Sequence, residues 1–197
     1  MDKINIVYID DDDDVILSRY LGEKYTNPDF QIEHEDILFN PNEGYESLIQ
    51  NPSVMHANII IIDSRLFENS TASSKFTGEE FKLILKKYYP FIEVIVITQN
   101  GADAKVGTIS KYNPNTDVSG LEYYANELPP HINEAIKNIV TFRELASRLE
   151  SNESWEPIIK EKIIASLQGS NAYDELTKTD IDDLISAFQE IQVKLDG

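Results

Sequence analysis

Apolar residues fall along this chain in two alternating rhythms. Ile4, Ile6, Val7 and Ile9 form one dense run, Ile59 to Ile62 a second, and Ile92 to Thr98 a third. Each is too short for a globular helix, and the second is entirely β-branched, which suits a buried strand. Gln31–Ile37 is a weaker strand pattern and Val106–Ile109 a short one. Between them the spacing becomes helical. From Asp14 it places Val15, Ile16, Leu17, Tyr20 and Leu21 on one face, and Tyr45–Ile49 makes a short helix. Gly78–Tyr89 carries Phe81, Leu83, Ile84, Leu85 and Tyr88 and closes at Pro90, while Ile132–Leu149 is a long amphipathic helix behind Pro129-Pro130.

Continuously apolar strands alternating with helices predict an α/β fold, a doubly wound parallel sheet of five strands covered on both faces. Such sheets bind ligands beyond the carboxyl ends of their strands. Here those ends carry Asp10 and Asp11, Asp63, Thr98 and Lys111. Asp10 and Asp11 open a run of five aspartates, of which Asp12 to Asp14 suit a helix start, where carboxylates favour the macrodipole. Packing carboxylates together is costly unless a cation or proton neutralises them. Three carboxylates, a hydroxyl and an ammonium on one edge could hold a divalent cation and a phosphoryl group.

Composition narrows the partners. The 197 residues carry a net charge of −18, which repels phosphate backbones and anionic lipid and argues against nucleic-acid or membrane binding. Absence of cysteine excludes disulfides, zinc–thiolate sites and thiol catalysis. With no apolar run of membrane-spanning length, the expectation is a cytoplasmic protein. Residues 1–150 read as one domain and 151–197 as a helical extension, with Ser151–Ser154 as the hinge. In the extension, Trp155, Ile158, Ile159, Ile163 and Leu167 form one stripe; Ile181, Leu184, Ile185, Phe188, Ile191 and Leu195 form another, capped by Thr179. The pair predicts a helical hairpin. Ten acidic residues against four lysines make it a poor reader of DNA.

Four places in the chain, together, resemble the receiver domain of bacterial two-component response regulators. Ile9-Asp10-Asp11-Asp12-Asp13-Asp14-Val15 resembles the first-strand end with its acidic pair, and Ile62-Asp63 the third strand with its phospho-accepting aspartate. Val94 to Thr98 resembles the fourth strand with its switch hydroxyl, and Lys111 stands where that family keeps a lysine. Thr77-Gly78-Glu79-Glu80 also resembles the glycine-led third helix.

The resemblance implies a flavodoxin-like receiver fold over roughly residues 4–149. It makes Asp63 the acceptor of a phosphoryl group from a histidine kinase or histidine phosphotransfer protein, with Lys111 neutralising phosphoryl oxygens and Thr98 moving to bond them. Mg²⁺ would be held by Asp10, Asp11, Asp63 and the main-chain carbonyl of Arg65, and the signal would pass to a downstream protein partner. A homodimer is left open.

The chain departs from that pattern. Tyr112 stands where the family has proline after the lysine, and Thr108 and Ile109 occupy the region of its switch aromatic. Gln99–Ser110 is too short for both a full fourth helix and a strand, so that helix is expected to be reduced. Lys105 is a second candidate for the lysine, and the Ser/Thr-rich loop from Ser64 to Thr77 is longer than usual.

Two further readings remain. Asp11-Asp12-Asp13-Asp14-Val15 also fits the nucleophile motif of haloacid-dehalogenase-like phosphohydrolases, with Asp11 as nucleophile. That family needs another acidic pair on a strand after the lysine, where this chain offers only Asp117 and Glu122. The other reading is a receiver-like interaction scaffold that takes no phosphate.

Overall fold

The computed structural model describes residues 2–12, 14–40, 42–66, 77–99, 108–152, 154 and 157–167. Five strands, β1 (Lys3–Asp10), β2 (Gln31–Leu38), β3 (Ile59–Asp63), β4 (Glu93–Thr98) and β5 (Thr108–Ser110), form one sheet in the order β2-β1-β3-β4-β5. Every pairing is parallel. This is the flavodoxin-like doubly wound order, whose switch point lies where chain direction reverses, between β1 and β3. The sequence predicts this fold class, and the strand order shows it.

Strand alternation separates two cores. Ile4, Ile6, Tyr8, Ile59, Ile61, Ile95, Ile97 and Ile109 pack on one face against α1 (Val15–Arg19), its π-helical continuation Tyr20–Lys24, and α5 (Gly120–Glu150). Val7, Ile9, Ile60, Ile62, Val94 and Val96 pack on the other against α2 (Tyr45–Ile49), α3 (Pro52–Met55) and α4 (Gly78–Tyr88). All four isoleucines of β3 are fully buried. At about 25 cal/mol per Å² of apolar surface, each contributes roughly 1.5–3 kcal/mol of burial. β2 lies at the sheet edge and alternates exposed and half-buried positions, which explains its weaker sequence signal.

The long final helix of the sheet corrects the sequence reading. The expectation is a start at Ile132, behind Pro129-Pro130; α5 starts at Gly120, with the Ser119 side chain accepting from the Glu122 N–H. The two prolines lie inside the helix. They remove the donors that would serve the carbonyls of Ala125 and Asn126. Both of those residues are exposed, so water can replace the lost bonds. Meanwhile Tyr124, Leu128, Ile132, Ala135, Ile136 and Ile139 continue one buried stripe across the prolines. Tertiary burial overrides the local break.

Other differences are small. β5 runs Thr108–Ser110 instead of Val106–Ile109, and Val106 falls outside the described residues. α3 is a further short helix, capped by the Asn51 side chain with Pro52 in its first turn. Between β4 and β5 Gln99 is non-helical, and residues 100–107, including Lys105 and any reduced fourth helix, lie outside the described residues. So do residues 67–76 of the long loop and the stripe from Ile181 to Leu195. α6 (Pro157–Leu167) packs Ile163, Ile164 and Leu167 with Ala146, Leu149, Phe142 and Phe91. Lys160 donates to the carbonyls of Glu150 and Asn152, at 2.7 and 3.0 Å, and so serves orphan acceptors at the α5 terminus. No helix among the described residues is long and apolar enough to cross a membrane.

Candidate functional site

Register brings the strand ends level. Ile9 pairs with Ile62, Asp63 with Ile97, and Thr98 with Ser110, so Asp10, Asp63, Thr98 and Lys111 meet at the carboxyl edge. Main-chain bonds fasten that edge: Ser64 N–H donates to the Ile97 carbonyl and Lys111 N–H to the Thr98 carbonyl, each at 2.7 Å. Asp10, Asp63 and Thr98 are 3–5% exposed, an unusual depth for acidic groups that calls for charged or hydrogen-bonded partners.

Asp10, Asp11 and Asp63 each present an oxygen within 4.8 Å of the others. Lys111 closes the cluster, its ammonium 2.7 Å from Asp10 Oδ2 and 3.6 Å from Asp63 Oδ1. Arg65, in the turn after β3, donates its N–H to Asp63 Oδ2 at 2.6 Å. The Asp12 N–H points to Asp10 Oδ1 at 3.3 Å. Thr98 is buried at the end of β4, on the strand beside Asp63. The structure therefore gathers all the strand-end residues singled out in the sequence.

The electrostatics follow from this crowding. Burial pushes the Asp63 carboxyl above its ordinary value; Lys111 draws it back, and Asp10 and Asp11 push it up again. Burial works against the Lys111 ammonium, yet the hydrogen bond and charge of Asp10, followed by the charge of Asp63, hold it above the usual lysine range. Without a cation, the cluster carries more negative charge than one ammonium offsets. Three carboxylate donors with no nitrogen or sulfur suit a hard, oxygen-preferring cation such as Mg²⁺ or Ca²⁺. Among the described residues no other group of acidic or histidine side chains converges in this way.

Several contributors escape the sequence reading. The Tyr8 hydroxyl, 3% exposed as a residue, donates to Asp10 Oδ2. Its signal was available: two residues before Asp10 on a strand, it must share that residue's face. Burial and then the neighbouring Asp10 charge raise its phenol far above the ordinary value, so it stays a neutral donor. Asp14 caps α1 by accepting from Ile16 and Leu17 N–H, as expected for a helix start. It also accepts from the Tyr124 hydroxyl at 3.0 Å, which in turn accepts from the Tyr112 N–H at 3.3 Å. Tyr124 was hidden with the first turns of α5.

On the opposite flank α4 begins against the site. Thr77 and Glu80 form a reciprocal capping box, and Ser64 Oγ donates to Glu79 at 2.8 Å. Gly78 N–H bonds the Ser64 carbonyl, and a Cβ on Gly78 would lie 2.6 Å from the Asp63 carbonyl oxygen. Only glycine permits this approach of helix to strand end.

No family model matches the chain, and no curated protein matches it. Solved structures similar to it include a two component transcriptional regulator AraC from Clostridium phytofermentans, 16% identical over 73% of this chain and 99% of that one, with a TM-score of 0.41. A CheY-like response regulator receiver domain protein from Methanospirillum hungatei is 17% identical over 68% and 98% of the two chains, with a TM-score of 0.40. A response regulator from Burkholderia pseudomallei, solved with a phosphorylated aspartic acid and calcium ion, is 14% identical over 88% and 100%, with a TM-score of 0.35. The fold rests on this chain's own strand order, and the site's chemistry on its own residues.

Proposed function

We propose that this protein is a receiver of two-component signalling that accepts a phosphoryl group on Asp63. The observation that carries the reading is the junction of three carboxylates within 4.8 Å with the Lys111 ammonium, at the carboxyl edge of a doubly wound sheet. Asp63 lies at the centre, pinned by the Arg65 N–H through one oxygen and facing Lys111 through the other.

In the proposed step an Asp63 carboxylate oxygen forms a bond to phosphorus as the P–N bond of a phosphohistidine breaks. The imidazole leaves with the electron pair; a small acyl phosphate would lose its carboxylate in the same way. Lys111, 3.6 Å from Asp63, would neutralise a phosphoryl oxygen there, and Thr98 would hydrogen-bond one. Asp10, Asp11 and Asp63, with the Arg65 carbonyl, would hold Mg²⁺, whose contribution when bound is to offset the oxygen charge that develops during transfer. The donor would be a histidine kinase or histidine phosphotransfer protein in the cytoplasm. Residues 151–197 would serve as a helical extension in contacts with a downstream protein.

Acetyl phosphate or beryllofluoride with Mg²⁺ tests the reading. Wild type should gain one group per chain by mass spectrometry or fluoride NMR, and Asp63→Asn none. Equal modification of both would sink the acceptor assignment. Steady hydrolysis of a phosphomonoester, lost in Asp11→Asn but kept in Asp63→Asn, would favour the phosphohydrolase instead.

A further inference from the structure

One oxygen of the cluster has two donors. Asp10 Oδ2 accepts from the Tyr8 hydroxyl and from the Lys111 ammonium, while Oδ1 faces the Asp12 N–H. Both donors reach it from fixed places: Tyr8 is on the same strand as Asp10, inside the α1–α5 core, and Lys111 directly follows β5. Their distances to the acceptor aspartate matter as well. Lys111 lies 2.7 Å from Asp10 but 3.6 Å from Asp63 Oδ1, so engaging a group on Asp63 requires it to loosen from Asp10.

A carboxylate as buried as Asp10 does not readily lose a paired ammonium, because a charge left uncompensated there is strongly destabilising. A second donor already on the same oxygen changes that balance. We propose that Tyr8 is a positioning residue that retains Asp10 when Lys111 moves away, making the ammonium transferable from Asp10 to an anionic group on Asp63. The transfer rests on the receiver reading; the sharing of Asp10 between Tyr8 and Lys111 does not.

The sharing makes the two side chains back each other up. Removing either leaves Asp10 Oδ2 with a donor, and removing both leaves it with neither. In metal-free protein, Lys111→Met should therefore raise the unfolding equilibrium constant about tenfold more in the Tyr8→Phe background than in wild type, a coupling typical of groups sharing one network. A ring that merely fills the core would give additive losses, because phenylalanine keeps the packing; additivity overturns the proposal. Should the double variant not fold, Tyr8→Phe alone decides. With Asp10 held by the ammonium only, Lys111 NH₃⁺ protons should exchange with water several-fold more slowly by NMR, in line with a stronger charge-assisted bond. Unchanged or faster exchange overturns it.

Transfer itself is read from beryllofluoride with Mg²⁺. Tyr8→Phe should bind it about tenfold more weakly than wild type, a typical loss for an outer residue orienting a metal-site ligand. Full affinity in Tyr8→Phe overturns the transfer role. If wild type binds none, the receiver reading and the transfer fail together, while the coupling measurement still decides whether Tyr8 and Lys111 share Asp10.

Discussion

The ammonium of Lys111 is hydrogen-bonded to Asp10, at 2.7 Å, and stands 3.6 Å from Asp63. Among the described residues it is the cation that reaches both buried carboxylates. Lys111→Met should lower metal-free stability at neutral pH by about 1–3 kcal/mol, less than the usual result of breaking a buried pair from one side, because the Tyr8 hydroxyl still serves Asp10. Added Mg²⁺ should recover part of the loss by binding only the folded state. Urea unfolding with chelator and with Mg²⁺ measures both effects.

Asp63 predicts an opposite sign. Its carboxyl is raised in the fold, chiefly by burial, so the folded state binds the proton more tightly than the unfolded chain does. Its contribution to stability is most favourable below the ordinary carboxylate value and is lost as pH rises through the folded one. Asp63→Asn should therefore melt higher than wild type in chelator near pH 7, with the advantage shrinking toward about pH 4. Thermal melts of both proteins across that range provide the check. An advantage that grew on acidification would contradict the shift.

Gly78→Ala should be disproportionately damaging for so small a change. The added methyl meets the Asp63 carbonyl oxygen at 2.6 Å and Ser64 Cα at 2.9 Å, both backbone atoms with little freedom to move. Overpacking of this kind costs about 1–3 kcal/mol. Because the displaced atoms belong to the strand end that carries Asp63, cation binding should weaken with stability. Calorimetry with Mn²⁺ alongside denaturant unfolding would show whether the two fall together.

Tyr124→Phe keeps the ring and removes the hydroxyl that joins Asp14 to the Tyr112 N–H. The expected loss is about 1–2 kcal/mol, more than an exposed bond because one partner is charged. Hydrogen exchange should accelerate at the Ile16 and Leu17 amides, which Asp14 caps, and at Tyr112. Amides of β3, the central strand of the sheet, should keep their protection.

Much of the arrangement is legible in the sequence because two simple periods write it. Ile59 to Ile62 has no polar interruption and ends in Asp63, so strand, burial and site residue are read together. Asp10 and Lys111 are legible for the same reason: each comes where a run of strand residues stops. Tyr8 is harder, since an aromatic inside a strand looks like packing until its hydroxyl is found on Asp10. Gly120–His131 is misread for a different physical reason. Pro129 and Pro130 are strong local breakers, and only the buried stripe through Tyr124, Leu128 and Ile132 outweighs them.

The 31 residues of α5 span about 46 Å at the usual helical rise. One end lies against the site: a Cβ on Gly120 would sit 2.7 Å from Ile16 and 3.0 Å from Tyr112, the neighbour of Lys111. The other end carries α6 through Ala146 and Leu149. Such a rod is a lever with its short arm at the carboxylates. A tilt of only about 5° at Gly120 would sweep the far end through roughly 4 Å, simply from that length. On the receiver reading proposed above, a displacement at Lys111 too small to disturb the sheet would be enlarged at α6 by the length of that helix.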